Sequence, residues 1–354
     1  MKSSVNKLKR RIYFLVLLLV IIFSLLIYHL VNLTEEYKVV ENENKFIYYD
    51  SEYQSVDKNE LINSNYTELF NSKINELTYK KYPKFIADIL VSENVTKDYK
   101  VNNNSLYITF SQIAVEDKTL DLDLKVSCSL VKDYINAYCN EDEEVIIDDG
   151  YSIDPNKKTI AITFDDGPHR LYTNQIINLL NENKARATFF VIGVNVKHNA
   201  DIIKNIHNSN HEIAIHGLSH QYFTRMSIDA IYKEIIEVNK LVYDLVGTYS
   251  TLVRPPYGAL NDNIIENVDY SFIKWNVDTN DWRIKNSDTI VTNVMNEVSD
   301  GSIILFHDMY QNSVDTVKKL LPLLYLEGYQ IVDVSTLAKI KNKPIELNEV
   351  YREF

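Results

Sequence analysis

The second half of the chain repeats one pattern: a short apolar run, then a stretch with helical spacing. Thr159-Ile-Ala-Ile-Thr-Phe164 precedes a helix around 174–183, and Ala187-Thr-Phe-Phe-Val-Ile192 precedes one near 202–208. Glu212-Ile-Ala-Ile215 leads to a long helix over 227–246, and Ser250-Thr-Leu-Val253 to one near 262–268. Ser271-Phe-Ile-Lys-Trp-Asn-Val277 precedes 287–298, Ser302-Ile-Ile-Leu-Phe306 precedes 314–326, and Gln330-Ile-Val-Asp-Val334 closes the set. Runs this apolar read as strands buried on both faces, as a parallel sheet requires. About seven strands with helices between them predict a parallel α/β fold, in which chemistry gathers where strands end and loops begin.

The strand ends carry polar groups in order. The first ends in Asp165-Asp166-Gly167-Pro168. Neighbouring strand side chains point to opposite faces, so two carboxylates converge only if the backbone turns there, and Gly-Pro supplies a turn. Clustered acids beyond an apolar strand suit a shared cation or a base; a helix cap is the plainer reading. The third ends in His216-Gly-Leu-Ser-His220, two imidazoles at metal-ligand spacing or a surface coincidence. The fourth ends in Arg254-Pro-Pro-Tyr257-Gly258, where an Arg can fix a carboxylate. The fifth ends in Asp278-Thr-Asn-Asp281-Trp282 and the sixth in Leu305-Phe-His307-Asp308. Each motif alone is weak; five in order are not an accident of structure.

Taken in that order, Thr163-Phe-Asp-Asp-Gly167, His216-x-x-x-His220, Arg254-Pro-Pro-Tyr-Gly258, Asp278-x-x-Asp281-Trp282 and Leu305-x-His307 resemble the five motifs of the polysaccharide deacetylases. That group is carbohydrate esterase family 4, the NodB-homology domain, and the resemblance covers about 157–337. It implies a distorted, incomplete (β/α) barrel, in agreement with the strands counted above. It implies one divalent metal on Asp166, His216 and His220, zinc by ligand type, with cobalt or nickel also accepted by such ligands. Asp165 is implied as general base toward water, with Arg254 holding it and keeping it charged. His307 is implied as general acid for the departing amine, oriented by Asp281, which raises its pKa. The Tyr257 backbone N–H is implied at the oxyanion, and Tyr257, Trp282 and Leu305 as substrate contacts, the last two walling the acetyl methyl. One departure stands out. The family usually has Ser or Thr after the first metal His, where this chain has Gly217, and Ser219 is the residue available to substitute for it.

The first half reads differently. Lys2, Lys7, Lys9, Arg10 and Arg11 precede an uncharged apolar run from Ile12 to about Leu30, long enough to span a bilayer. Its exit, Tyr28-His-Leu-Val-Asn32, lacks a small-x-small cleavage pattern, which favours an uncleaved anchor over a signal peptide. The basic flank places the tail inside and the bulk of the chain outside. The expected organisation is a cytoplasmic basic tail (1–11), a transmembrane anchor (12–32), an extracellular α+β unit (35–150), the catalytic domain (157–340) and a C-terminal tail (341–354). In the α+β unit, 45–49, 105–110 and 120–126 read as strands, and 65–90 as helix interrupted at Pro83. Cys128 and Cys139 lie in a hairpin-like stretch, strands at 124–130 and 134–139, and their spacing does not decide between a cross-strand disulfide and two free thiols. Asn140-Glu-Asp-Glu-Glu144 reads as a solvated turn.

Net charge is −12 and the first eleven residues contribute +5, leaving −17 for the rest. Such a surface repels polyanions, which excludes nucleic acid as a partner and leaves substrate binding to a shaped groove. The resemblance implies an acetylated polysaccharide as substrate, and an outward-facing anchor that tethers the site near a wall, an arrangement similar to that of peptidoglycan deacetylases, points first to N-acetylglucosamine of peptidoglycan. Poly-N-acetylglucosamine, chitin-like oligomers and O-acetyl esters stay open. A catalytically silent wall-binding protein is the rival of another class; its signature, loss of a ligand, base or acid, is not seen.

Overall fold

The computed structural model describes residues 54–62, 64–92, 95–101, 105–115, 118–127, 130–135, 151 and 153–354. The expected anchor, the strand at 45–49, both cysteines and the acidic turn at 140–144 lie outside these residues. Among the described residues, no helix is long and apolar enough to cross a membrane.

The first unit is an antiparallel sheet in the order β1 (Gln54–Val56), β2 (Thr96–Val101), β3 (Ser105–Val115), β4 (Lys118–Ser127). Two helices cover it, α1 (Thr67–Lys81) and α2 (Lys84–Leu90). They separate at Pro83, whose fixed φ and missing N–H end a helix. Phe70, Ile74 and Leu77 recur at helical spacing, and Leu106, Ile108 and Phe110 at every second residue; both sets enter one core. The hairpin expected near the cysteines is not formed at the start of its second strand. Lys132–Tyr134 is a 3-10 turn, and Ile135 bridges Ile62 instead. This unit meets the second through Phe85, edge-on to Tyr325 at 5.7 Å, and through Lys84, 3.3 Å from Glu182.

The second unit is a curled, open, all-parallel sheet. Its strands are β5 (Lys158–Asp165), β6 (Ala187–Val191), β7 (Glu212–Ile215), β8 (Leu252–Val253), β9 (Ser271–Ile273), β10 (Val277–Asp278), β11 (Ile303–His307), β12 (Tyr329–Val332) and β13 (Val350–Tyr351). The order is β10-β11-β5-β6-β7-β8-β9-β13, with β12 also pairing β5. Helices α3 (Thr173–Glu182), α4 (Ala200–Asn208), α5 (Ile228–Val246), α6 (Asp262–Asn267), α7 (Ser287–Glu297), α8 (Gln311–Leu326) and α9 (Val334–Ile340) lie between and after the strands.

The sheet has nine strands where about seven were expected. One cause is local: the run 271–277 is two strands, because the carbonyls of Ile273 and Lys274 turn to the Arg254 guanidinium (3.0 and 2.9 Å). The other lies in 341–354, read as a tail. There β13 pairs β9, and Phe354 is buried with its N–H on the Gly301 carbonyl.

Alternation along the strands sorts the two faces. Ile160, Ile162 and Phe164 pack outward with Ile176, Leu180 and Ile231 of the helices. Ala161, Ala214, Leu252, Ile273 and Ile303 fill the inside. Thr163 and Asp165 continue that inner face toward the C-terminal end of β5, as Leu305 and His307 do on β11, so the inside becomes polar at one mouth only.

Candidate active site

Every residue singled out by sequence except Leu305 sits at or just beyond the C-terminal end of a strand, and Leu305 lies two residues short of one. Asp165 ends β5 and is 2% exposed. Its Oδ1 accepts from Arg254 Nη1 at 2.7 Å, and its Oδ2 lies 3.7 Å from His216 Nε2. The next residue, Asp166, takes the left-handed conformation (φ 74°), which swings its carboxylate to the same mouth. Its Oδ1 lies 3.4 Å from His216 Nε2 and 3.2 Å from His220 Nε2. Asn195 Nδ2 donates to the Asp166 carbonyl at 2.7 Å and holds the turn.

Whether these three residues fit a metal is decided by their hydrogen atoms. His216 Nδ1 lies 2.6 Å from the Arg254 carbonyl, which only accepts, so Nδ1 carries the proton and Nε2 presents a lone pair. Asp166 Oδ1 is shielded from solvent, with no hydrogen-bond donor in place on it among the described residues. The ligand atoms of Asp166, His216 and His220 all lie within 4.8 Å of one another. A lone pair on His216 Nε2 and a carboxylate oxygen without a donor, with His220 Nε2 beside them, fit a divalent cation.

Arg254 follows β8 and has no solvent exposure. Besides Asp165 it binds Thr163 Oγ1 (2.7 Å) and the two carbonyls of the broken strand, and its guanidinium stacks 4.0 Å from the Phe190 ring. Across the mouth, Asp281 is fully buried. It accepts from His307 N (2.8 Å) and from Ser313 Oγ (2.6 Å), while its Oδ1 lies 2.7 Å from His307 Nδ1. The carboxylate accepts only, so the proton is on Nδ1, and His307 Nε2 is free to exchange one. Burial opposes charge on His307, but Asp281, with Asp165 and Asp166 farther off, raises its pKa to about 9.

Tyr257 also adopts a left-handed φ, 60°, in the turn after Pro255-Pro256, and its ring is 55% exposed. It stacks on Tyr222 at 3.9 Å and touches His220 at 4.5 Å, so an aromatic wall rises directly from a metal-ligand candidate. Trp282 is 53% exposed on the other side, and Leu305 lies buried beside Thr163 in the register of β11 with β5.

Two residues, Tyr222 and Glu234, were not singled out from sequence, and a third, Asp308, was read only as part of a strand-end motif without a role. Tyr222 carries no motif. Asp308 is fully buried behind the Asp165–Asp166 turn, bonded by Thr173 Oγ1, and burial raises its carboxyl pKa to about 7. Glu234 receives the Ser219 hydroxyl, so Ser219 does bind where Gly217 cannot. Its signal was present in the sequence: a charge inside the α5 stripe Ile231, Ile235, Val238, Val242.

Comparison with known proteins settles the family. The sequence profile described as Polysaccharide deacetylase matches residues 152–271. A peptidoglycan-N-acetylglucosamine deacetylase of Bacillus cereus is 35% identical over 200 residues, which span 54% of this chain and 93% of that protein. The chain belongs to the polysaccharide deacetylase family. Another polysaccharide deacetylase, the peptidoglycan-N-acetylmuramic acid deacetylase PdaC of Bacillus subtilis, is 39% identical over 192 residues, 54% of this chain. The chain spans 41% of that relative's length. The solved PdaC structure superposes with a TM-score of 0.52 and is covered to 94%. A family 4 acetyl xylan esterase from Clostridium thermocellum, solved with a cobalt ion, is 32% identical, with a TM-score of 0.53 over 55% of this chain and 98% of that one.

Proposed function

We propose that this polysaccharide deacetylase hydrolyses N-acetyl groups of peptidoglycan, with N-acetylglucosamine as the substrate sugar. The observation that carries the chemistry is the opposition of two proton-handling pairs, Arg254–Asp165 and Asp281–His307, across a three-ligand cluster. The B. cereus and B. subtilis relatives, both peptidoglycan deacetylases, support peptidoglycan as the polymer.

Asp166, His216 and His220 would hold the cation, and zinc suits two imidazoles and a carboxylate. The ion supplies Lewis acidity toward a carbonyl and toward water. Asp165, fixed by Arg254, takes a proton from the attacking water. The Tyr257 backbone N–H would stabilise the charge that develops on the carbonyl oxygen. His307, charged through its pairing with Asp281, gives its Nε2 proton to the departing nitrogen as the C–N bond breaks, and Asp281 holds the ring in place through Nδ1. Trp282 and Leu305 wall the acetyl methyl. Acetate and a free amino sugar leave.

In the same reading, the span at 12–32 holds the barrel at the outer face of a cell membrane. The test is acetate release from purified peptidoglycan set against chitin oligomers. Release from peptidoglycan alone supports the assignment, and release from chitin alone removes it. Identifying the sugar reduced in acetyl content separates N-acetylglucosamine from the N-acetylmuramic acid named for the B. subtilis relative.

A further inference from the structure

The loop that carries both imidazoles is tied down by one carboxylate. Glu234 on α5 is 8% exposed and sits among Ile231, Ile235 and Val238, each without solvent contact. Its Oε2 accepts from Leu218 N at 2.7 Å and Ser219 N at 2.9 Å, and its Oε1 accepts from Ser219 Oγ at 2.9 Å. All three donors belong to the segment between His216 and His220. Among the described residues, no ion pair includes Glu234. A carboxylate buried without a counter-charge is expensive, and here backbone N–H groups and a hydroxyl offset that cost.

The contact is tight. Gly217 has φ +80°, and a Cβ there would come within 3.3 Å of Glu234 Oε2. The carboxylate therefore packs on the loop backbone beside the first imidazole. That ring is fixed from its other nitrogen by the Arg254 carbonyl. His220, at φ 56°, depends on the path of the intervening loop to return its Nε2 to Asp166.

We propose that Glu234 is a positioning residue for the metal centre: by holding Leu218 and Ser219 it keeps the two imidazoles facing Asp166 and sets the affinity for a divalent cation. This rests on the reading of Asp166, His216 and His220 as ligands. The rival is a purely architectural role, fastening α5 to the end of β7.

Zinc titration of the metal-free full chain by calorimetry separates the two. Glu234→Ala is expected to weaken zinc binding by about 10–100-fold, the usual effect of losing a group that orients ligands. Glu234→Gln keeps the shape and an acceptor for both N–H groups, and is expected to lose less than Glu234→Ala. Val238→Ala, fully buried on the same helix, is expected to lower the melting temperature of the metal-free protein and leave zinc affinity within twofold. Zinc affinity of Glu234→Ala within twofold of the parent overturns the proposal. Should that variant not fold, Ser219→Ala and Glu234→Gln decide: weaker zinc binding in both supports it, and unchanged affinity in both overturns it. A parent chain that binds no zinc removes the ligand reading itself, and this proposal with it.

Discussion

Arg254 and Asp165 form an ion pair almost without solvent contact, Nη1 to Oδ1 at 2.7 Å, with side-chain exposures of 0% and 3%. The guanidinium spends its other donors on Thr163, Ile273 and Lys274, so it links β5 to the break after β9. Such a pair is costly to break from one side, because the partner is left charged and dry.

Arg254→Met is therefore expected to destabilise the fold by about 3–5 kcal/mol. Denaturant unfolding of the purified protein reads this directly. A midpoint equal to the parent's would mean that the pair contributes nothing to the fold.

Asp165→Asn is expected to lower turnover by ~10²–10⁴-fold, the range for a lost general base, while zinc stays bound. The carboxylate nearer the two imidazoles belongs to Asp166, and the neighbouring guanidinium keeps three other acceptors. His216→Ala, by contrast, is expected to lose both activity and zinc. Near-normal turnover in Asp165→Asn would show that the base is another group.

His307 gives a pH signature. Its pKa is raised to about 9 from an ordinary 6.5 against the pull of burial, chiefly by Asp281. The ring is charged below that value, so its contribution to stability is complete below about 6.5 and lost as pH rises through about 9. Proton transfer to a leaving nitrogen fails over the same upper range. NMR titration of the metal-free protein is expected to place His307 near 9, and Asp281→Asn to return it toward 6.5 or below. An unchanged titration in Asp281→Asn would remove Asp281 as the cause.

Much of the barrel was legible because its runs are apolar and alternate with helical stretches, and five of them end in a polar motif. Thr163, Asp165, Leu305 and His307 share a face by simple alternation, and the register of β11 on β5 brings them together. The break between β9 and β10 was not legible, since no breaker interrupts 271–277; its cause, Arg254, arrives from another strand. β13 is two residues long and has no pattern of its own. At the start of the second strand expected near Tyr134, the described residues form a 3-10 turn and a bridge to Ile62, a contact 73 residues away in sequence. Glu234 was readable as a charge within an apolar stripe, but nothing in the stripe tells what the charge would face.

One measurement bears on the whole chemistry: acetate release from N-acetylated peptidoglycan by the purified chain, before chelation, after chelation, and after zinc is returned. The expected result is release that chelator abolishes and zinc restores, with the Asp165→Asn protein silent in all three conditions. Release that persists after complete chelation, or that Asp165→Asn sustains, would contradict the assignment of Asp166, His216 and His220 as ligands or of Asp165 as the base.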